Sequence, residues 1–268
     1  MSSIIFSKTN KIATLKFNRP EVLNSLDPQA MKNFRECLIE FRDDSDLLVC
    51  IITGAGDKSF CTGADLKKTL PPRSSFASAF FRSEAESIEQ GLYIRGLDIT
   101  GMKINKPIIA AINGFAIGGG LEIALNCDIR IASDNASLGL SEAKVGSIPA
   151  IGGIQRLFRY IPTSLAMQML LTGERISAAE AYRVGLVSKV CPLNELLQES
   201  YRIAEKICEN GPISIQAIKY LIRKGLNMPL DEAIALEQMM WGLIRDTEDR
   251  IEGRNAFEQK RKPVFKGY

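Results

Sequence analysis

Short apolar runs at residues 4–6 and 12–17 flank Thr9 and Asn10, a pattern that predicts a β-hairpin. Between Asp27 and Arg42, Met31, Phe34, Leu38 and Phe41 recur along one helical face, with Asp27 placed as N-cap ahead of Pro28. Residues 47–53 form a nearly unbroken apolar run that ends at Gly54-Ala-Gly56, the signature of a strand buried on both faces. Residues 107–112 and 129–132 repeat it. Strands alternating with helical stretches predict an α/β architecture with parallel crossovers.

The pattern breaks over residues 69–105, where Pro71-Pro72 and a Ser-rich patch with Phe76, Phe80 and Phe81 are followed by Gly91, Gly96 and Gly101. This stretch reads either as a helix and loop laid over a pocket or as an amphipathic helix whose phenylalanines join the core. From residue 163 onward the chain is almost wholly helical. A helix over 163–172 stops at Gly173, Ser177-Ala-Ala-Glu180 has capping-box spacing, and further helices are predicted at about 194–209, 214–225 and 230–244. The division expected is an α/β core over residues 1–200 and a helical region over 201–268.

Composition narrows the chemistry. A net charge of +3 over 268 residues lacks the dense cationic stripe that binding several phosphates together requires, so no nucleic-acid partner is expected. The six cysteines contain no C-x-x-C pair and the first six residues cannot supply a signal-peptide core, which points to a reducing, cytoplasmic setting. Residues 108–125 are apolar, but Asn113, Glu122 and the glycines at 114, 118, 119 and 120 make them a buried strand-turn-helix rather than a membrane span. The count of histidines is zero, which removes Ser-His and Cys-His nucleophiles and His-liganded metals. No metal site and no separate cofactor are expected. Chemistry here must use carboxylates, backbone dipoles, Lys, Tyr or a carried group.

The glycine-rich turn at Asn113-Gly-Phe-Ala-Ile-Gly-Gly-Gly-Leu-Glu122 follows a strand and opens a helix, where bare backbone N–H groups meet the positive end of the helix dipole. Close packing would use the same glycines. Glu122 sits in an apolar run, so its carboxylate should be either paired or used. Without further context, a salt bridge or a favourable helix N-terminal charge is the simpler account of it. Glu142, after Ser141 as an expected N-cap, reads by itself as an ordinary first-turn glutamate.

Taken together, several motifs closely resemble the crotonase (enoyl-CoA hydratase/isomerase) superfamily. They are Asn18-Arg-Pro20 with Leu23-Asn24, Ser59-Phe-Cys-Thr-Gly-Ala-Asp-Leu-Lys67, the turn ending at Glu122, Glu142, and Gly146-Ser-Ile-Pro-Ala-Ile-Gly-Gly-Ile-Gln-Arg-Leu157. Leu171-Thr-Gly173, residues 181–187 and the tail from Glu252 to Arg261 continue the match to the end of the chain.

The resemblance implies a spiral of ββα units with a helical C-terminal trimerisation region, assembled as a homotrimer or a dimer of trimers. It implies an acyl-CoA substrate, coenzyme A being part of that substrate. By resemblance, the backbone N–H groups of Ala64 and Gly119 form an oxyanion hole for the thioester oxygen, and Glu122 and Glu142 form the acid-base pair of a hydratase. Glu122 would deprotonate water for attack at the β-carbon, and Glu142 would deliver the α-proton. Glu142 alone would suffice for a Δ3-Δ2 isomerase.

Coenzyme A would lie along Val22, Leu23, Thr62, Asp65, Leu66 and Lys67, while Phe257 and Lys260 would reach the nucleotide end from a neighbouring subunit. Ala150 stands where family hydratases usually carry glycine, so its N–H remains while its methyl narrows the site. Ser141 replaces a frequent proline. Both changes bear on the acyl group, with branched, cyclic or carnitine-linked chains as alternatives to a simple enoyl chain. A CoA-binding protein acting through partners, RNA included, is the competing class.

Overall fold

The computed structural model describes residues 2–69, 81 and 93–268. The irregular stretch noted above therefore lies mostly outside the described residues. The N-terminal hairpin forms as expected from β1 (Ile4–Thr9) and β2 (Ile12–Phe17), paired antiparallel around Asn10 at φ 54°. Helix α1 (Pro28–Asp43) starts where Asp27 accepts a 2.9 Å hydrogen bond from the Ala30 N–H, satisfying one of the donors that every helix start leaves over. Its buried stripe is Ala30, Met31, Phe34, Leu38 and Phe41.

A six-stranded sheet runs in the order β1-β2-β3-β5-β7-β10, with β3 at Val49–Gly54, β5 at Ile108–Ile112, β7 at Ile129–Ser133 and β10 at Lys189–Cys191. All its pairings after the hairpin are parallel. The unbroken apolar runs follow from burial on both faces. Cys50 and Ile52 of β3 face the cluster containing α1, whereas Val49 and Ile51 face Leu196 and Ala204 of α6 (Leu196–Cys208). Burying each such side chain contributes about 1.5–3 kcal/mol relative to exposure.

A second sheet, in the order β4-β6-β8-β9, consists of Ser59–Cys61, Phe115–Ile117, Ser137–Gly139 and Ile176–Ser177. These strands of two or three residues are too short to display a period, and the sequence pattern missed them. Strands β3 and β4, β5 and β6, and β7 and β8 are consecutive pairs, each placing its first member in the large sheet and its second in the small one. Repetition of that step builds the spiral. Helix α2 (Gly119–Asn126) follows β6, and its Gly120 packs so tightly on β4 that a Cβ there would stand 2.0 Å from the Cys61 carbonyl oxygen.

The other helices among the described residues are α3 (Gly153–Tyr160), α4 (Thr163–Thr172), α5 (Ala178–Arg183), α7 (Pro212–Gly225), α8 (Leu230–Arg245) and α9 (Glu248–Glu258). Only half of the expected capping box forms. The Ser177 hydroxyl accepts from the Glu180 N–H at 3.2 Å, while the Glu180 carboxylate turns to Arg183. Helix α9 was not expected, because its charged sequence carries a single apolar residue, Ile251, before Ala256; the Thr247 cap and the folded-back tail, held by both carboxylate oxygens of Asp249, stabilise it. Helix α7 is pinned to the body by Lys219, whose buried ammonium contacts Asp128 at 2.6 Å and the Lys106 carbonyl at 2.7 Å. No described helix is long and apolar enough to cross a membrane.

Candidate active site

Three adjacent parallel strands of the small sheet, β4, β6 and β8, end side by side, and each feeds one part of a common site. Ligands in α/β folds gather beyond the carboxyl ends of strands because loops and helix starts expose their N–H groups there. After β4 the chain passes through Thr62 and Gly63 to Ala64, after β6 it turns through Gly118 into α2, and after β8 it reaches Glu142. The amides of Ala64 and Gly119 are neighbours: a Cβ on Gly63 would stand 2.8 Å from the Gly119 nitrogen, and one on Gly119 would stand 3.9 Å from the Ala64 nitrogen. Gly118, at φ +54°, makes the turn, and a methyl on it would meet Glu142 Oε1 at 3.1 Å. Glu142 thus lies against the turn that carries the Gly119 amide, and Glu122 follows in the first turn of α2.

Their environments differ. Glu122 is 1% exposed, and its Oε1 accepts hydrogen bonds from the N–H groups of Ile151 at 2.9 Å and Gly153 at 2.8 Å. Burial raises its pKa, and the backbone donors of the loop before α3, together with the Arg156 cation, oppose that rise. Glu142 opens a short 3-10 turn (Glu142–Val145), and its Oε2 is buried without a hydrogen-bond partner. Burial pushes its carboxyl up to about 7, and the nearby charge of Glu122 adds to the shift. The N–H donors offset part of the burial effect at Glu122, whereas Glu142, whose Oε2 lacks such a donor, is the carboxyl driven furthest toward its protonated form.

Ser141 precedes that turn as expected but does not cap it; its hydroxyl donates instead to the Gly173 carbonyl at 3.0 Å. The loop carrying Val22 and Leu23 is tied to the one after β4, since the Leu23 carbonyl accepts from Ser59 Oγ at 2.8 Å and from Thr62 Oγ1 at 3.2 Å. Asp65 faces inward to Arg19 at 3.1 Å, its Oδ1 accepts from the Lys67 N–H, and Leu66 is 51% exposed. Ala150 adjoins Ile151 on the loop that holds Glu122, and its side is open to solvent. Phe257 is 88% exposed at the end of α9, and the Lys260 N–H closes back on its carbonyl. The structure therefore brings residues 22–23 and 62–67 to the Ala64–Gly119 amides, whereas the described contacts of Phe257 and Lys260 lie within the C-terminal hook.

Sequence reasoning overlooked the buried amides of Asn24 and Asn113, which both donate to the Ser59 carbonyl, at 2.7 and 3.2 Å, and lock the start of β4. An asparagine at the end of an apolar run was the available signal. It also quoted Arg156 only as part of a motif. A cavity of about 530 Å³ lies between residues 248–255 and the tail, but its charges satisfy one another, as in the Arg261–Glu252 pair, and it shares no residue with the two glutamates. Among the described residues, no group of three or more His, Cys, Asp or Glu converges as metal ligands do.

Comparison with known proteins agrees with this geometry. Residues 7–268 match the family model described as enoyl-CoA hydratase/isomerase. The chain is 48% identical over 259 residues to the (E)-benzylidenesuccinyl-CoA hydratase of Thauera aromatica, with 97% of each chain covered. It is 39% identical to the short-chain-enoyl-CoA hydratase of Clostridium acetobutylicum, over 98% of this chain and 97% of that protein. The crystal structure of an enoyl-CoA hydratase from Bacillus anthracis superposes with a TM-score of 0.89 at 36% identity, all of both chains being covered. A spiral of paired strands, two glutamates at one amide pair and full-length similarity to hydratases have one common explanation: the chain belongs to the enoyl-CoA hydratase/isomerase (crotonase) family of hydro-lyases.

Proposed function

We propose that this protein adds water across the 2,3 double bond of an enoyl-CoA thioester, and catalyses the reverse dehydration, with Glu122 and Glu142 as the reacting acid-base pair. In this reading the Ala64 and Gly119 amides bind the thioester oxygen and stabilise the enolate that forms as the β-carbon is attacked. Glu122, whose carboxylate accepts two backbone N–H bonds, takes a proton from water, and Glu142, held toward its protonated form, gives a proton to the α-carbon. The observation that carries the proposal is the unequal environment of the two carboxyls at one amide pair.

Coenzyme A runs along Val22, Leu23, Thr62 and Asp65 to Lys67, with Ala150 beside the water. The exposed apolar residues of α7 and α8 support a homotrimer or a dimer of trimers, in which Phe257 and Lys260 reach the nucleotide of a neighbour. The named substrates of the relatives differ, from short-chain enoyl-CoA to a benzylidenesuccinyl thioester. The acyl group is therefore set by a panel of short, long, branched, cyclic and aryl-substituted enoyl-CoA thioesters.

Loss of the conjugated enoyl absorbance measures the reaction. Glu122→Gln and Glu142→Gln should each lower kcat by about 10²- to 10⁴-fold, the range for removing a general acid or base. Full rate in both variants would overturn the mechanism. Proton exchange surviving in Glu122→Gln without water addition would instead identify a Δ3-Δ2 isomerase.

A further inference from the structure

The carboxylate of Glu122 is held by a loop, and that loop is itself held. Ile151 and Gly153 donate to Glu122 Oε1 from a turn whose centre is Gly152, at φ +97°. A Cβ on Gly152 would stand 2.0 Å from Nη1 of Arg156, so the guanidinium lies directly across the turn. From there Nη1 donates to the Ile151 carbonyl at 2.9 Å, and Nη2 donates to Thr100 Oγ1. Thr100 Oγ1 donates onward to Asn126 Oδ1 at 3.2 Å. Asn126, one turn along α2 from Glu122, donates from Nδ2 to the Glu122 carbonyl at 3.0 Å and to the Ile151 carbonyl at 3.4 Å.

The circuit is closed. One residue, Ile151, receives the guanidinium and the Asn126 amide on its carbonyl oxygen and presents its N–H to Glu122. The charge of the same guanidinium opposes the burial-driven rise at that carboxylate. We propose that Arg156 is a positioning residue for the hydration chemistry: with Thr100 and Asn126 it fixes the 150–153 loop so that its N–H groups hold Glu122 in register, and its charge favours the ionised carboxylate. This inference rests on the reading of Glu122 as the base.

The charged and titratable groups in play are few. Glu122 faces Arg156 from α3 and Glu142 from the 3-10 turn. Arg156 in turn faces Asp98, Tyr160 and Arg223, as well as Glu122. Neutralising Arg156 removes the cation that opposes the burial-driven rise at Glu122, so the base should require a higher pH to ionise. A misplaced loop should reduce turnover by about 10- to 100-fold, because misplacement of about 1 Å costs that much. Thioester binding through residues 22–23 and 62–67 should persist.

The test compares Arg156→Gln, Arg156→Lys and Glu122→Gln in the full-length protein, with folding checked by circular dichroism. Arg156→Gln should lower kcat at least tenfold with KM within about twofold, and the acid limb of its kcat/KM profile should move upward. Arg156→Lys, which keeps the charge and loses the forked contact, should return the acid limb toward the wild-type position while kcat stays reduced. Wild-type kcat with an unmoved acid limb in folded Arg156→Gln would overturn the proposal, provided Glu122→Gln is inactive. If Glu122→Gln were fully active, the assignment of the base itself would fall. Should Arg156→Gln not fold, Thr100→Val decides, since it removes one guanidinium acceptor on an exposed turn: a several-fold drop in kcat at constant KM supports the role, and an unchanged kcat refutes it.

Discussion

Two glutamates of the same chemistry are separated here by what surrounds them. Glu122 loses water but gains two N–H donors, whereas Glu142 loses water and leaves one oxygen without a partner. For Glu142 this has a cost in stability with a definite sign. Its folded pKa of about 7 lies above the ordinary value of 4.5, so the native state binds the proton more tightly than the unfolded chain. That contribution is complete below about pH 4.5 and is lost as pH rises through about 7. Glu142→Gln removes the titration. Its stability relative to wild type, measured by urea unfolding, should therefore be similar at pH 4.5 and greater by about 2 kcal/mol at pH 8.5, a figure already reduced for the solvent that reaches this half-buried group. No pH dependence in that difference would contradict the burial.

Elements are held at separations that admit no side chain. The seam between α2 and β4 sets the distance between the Gly119 and Ala64 amides, and it closes because Gly120 lets the helix rest on the Cys61 carbonyl. Gly120→Ala forces the backbones apart, a change costing about 1–3 kcal/mol. The expected outcome is a lower urea midpoint together with lost turnover. Gly101→Ala, where a Cβ would meet nothing within 4 Å, is the control and should be near neutral. The short strands β4, β6 and β8 carry this geometry although none exceeds three residues. They gain their order from neighbouring backbone rather than from their own sequence pattern.

Across the whole molecule, the C-terminal helices are apolar on the outside. Helix α8 has no buried residue, yet Leu230 is 76%, Met239 69%, Trp241 61% and Leu243 73% exposed. Ile222 of α7 and Leu226, just past its end, extend this surface. An apolar surface of this kind on a folded chain marks an interaction site, which a second copy would cover in the proposed trimer. Light scattering should give three or six times the chain mass. Trp241→Glu, which alters no buried residue, should shift the mass toward one chain and raise KM for the CoA thioester, because Phe257 and Lys260 would no longer reach a neighbour's nucleotide. A wild-type monomer at micromolar concentration would count against the assembly.

The sequence by itself determined the hairpin, α1, the doubly buried strands and most of the C-terminal helices, because these elements are long enough for burial to impose a period on their residues. It also determined the family, through motifs spread over the full length. Tertiary structure decided the rest. Glu122 and Glu142 are twenty positions apart, and only the parallel order of β6 and β8 brings them to one amide pair. Their protonation bias comes from desolvation and from N–H groups on a loop about thirty residues away, which no local pattern encodes. Arg156 was visible only as one letter of a motif. Its purpose depends on which carbonyl its fork meets, and that is a property of the folded chain.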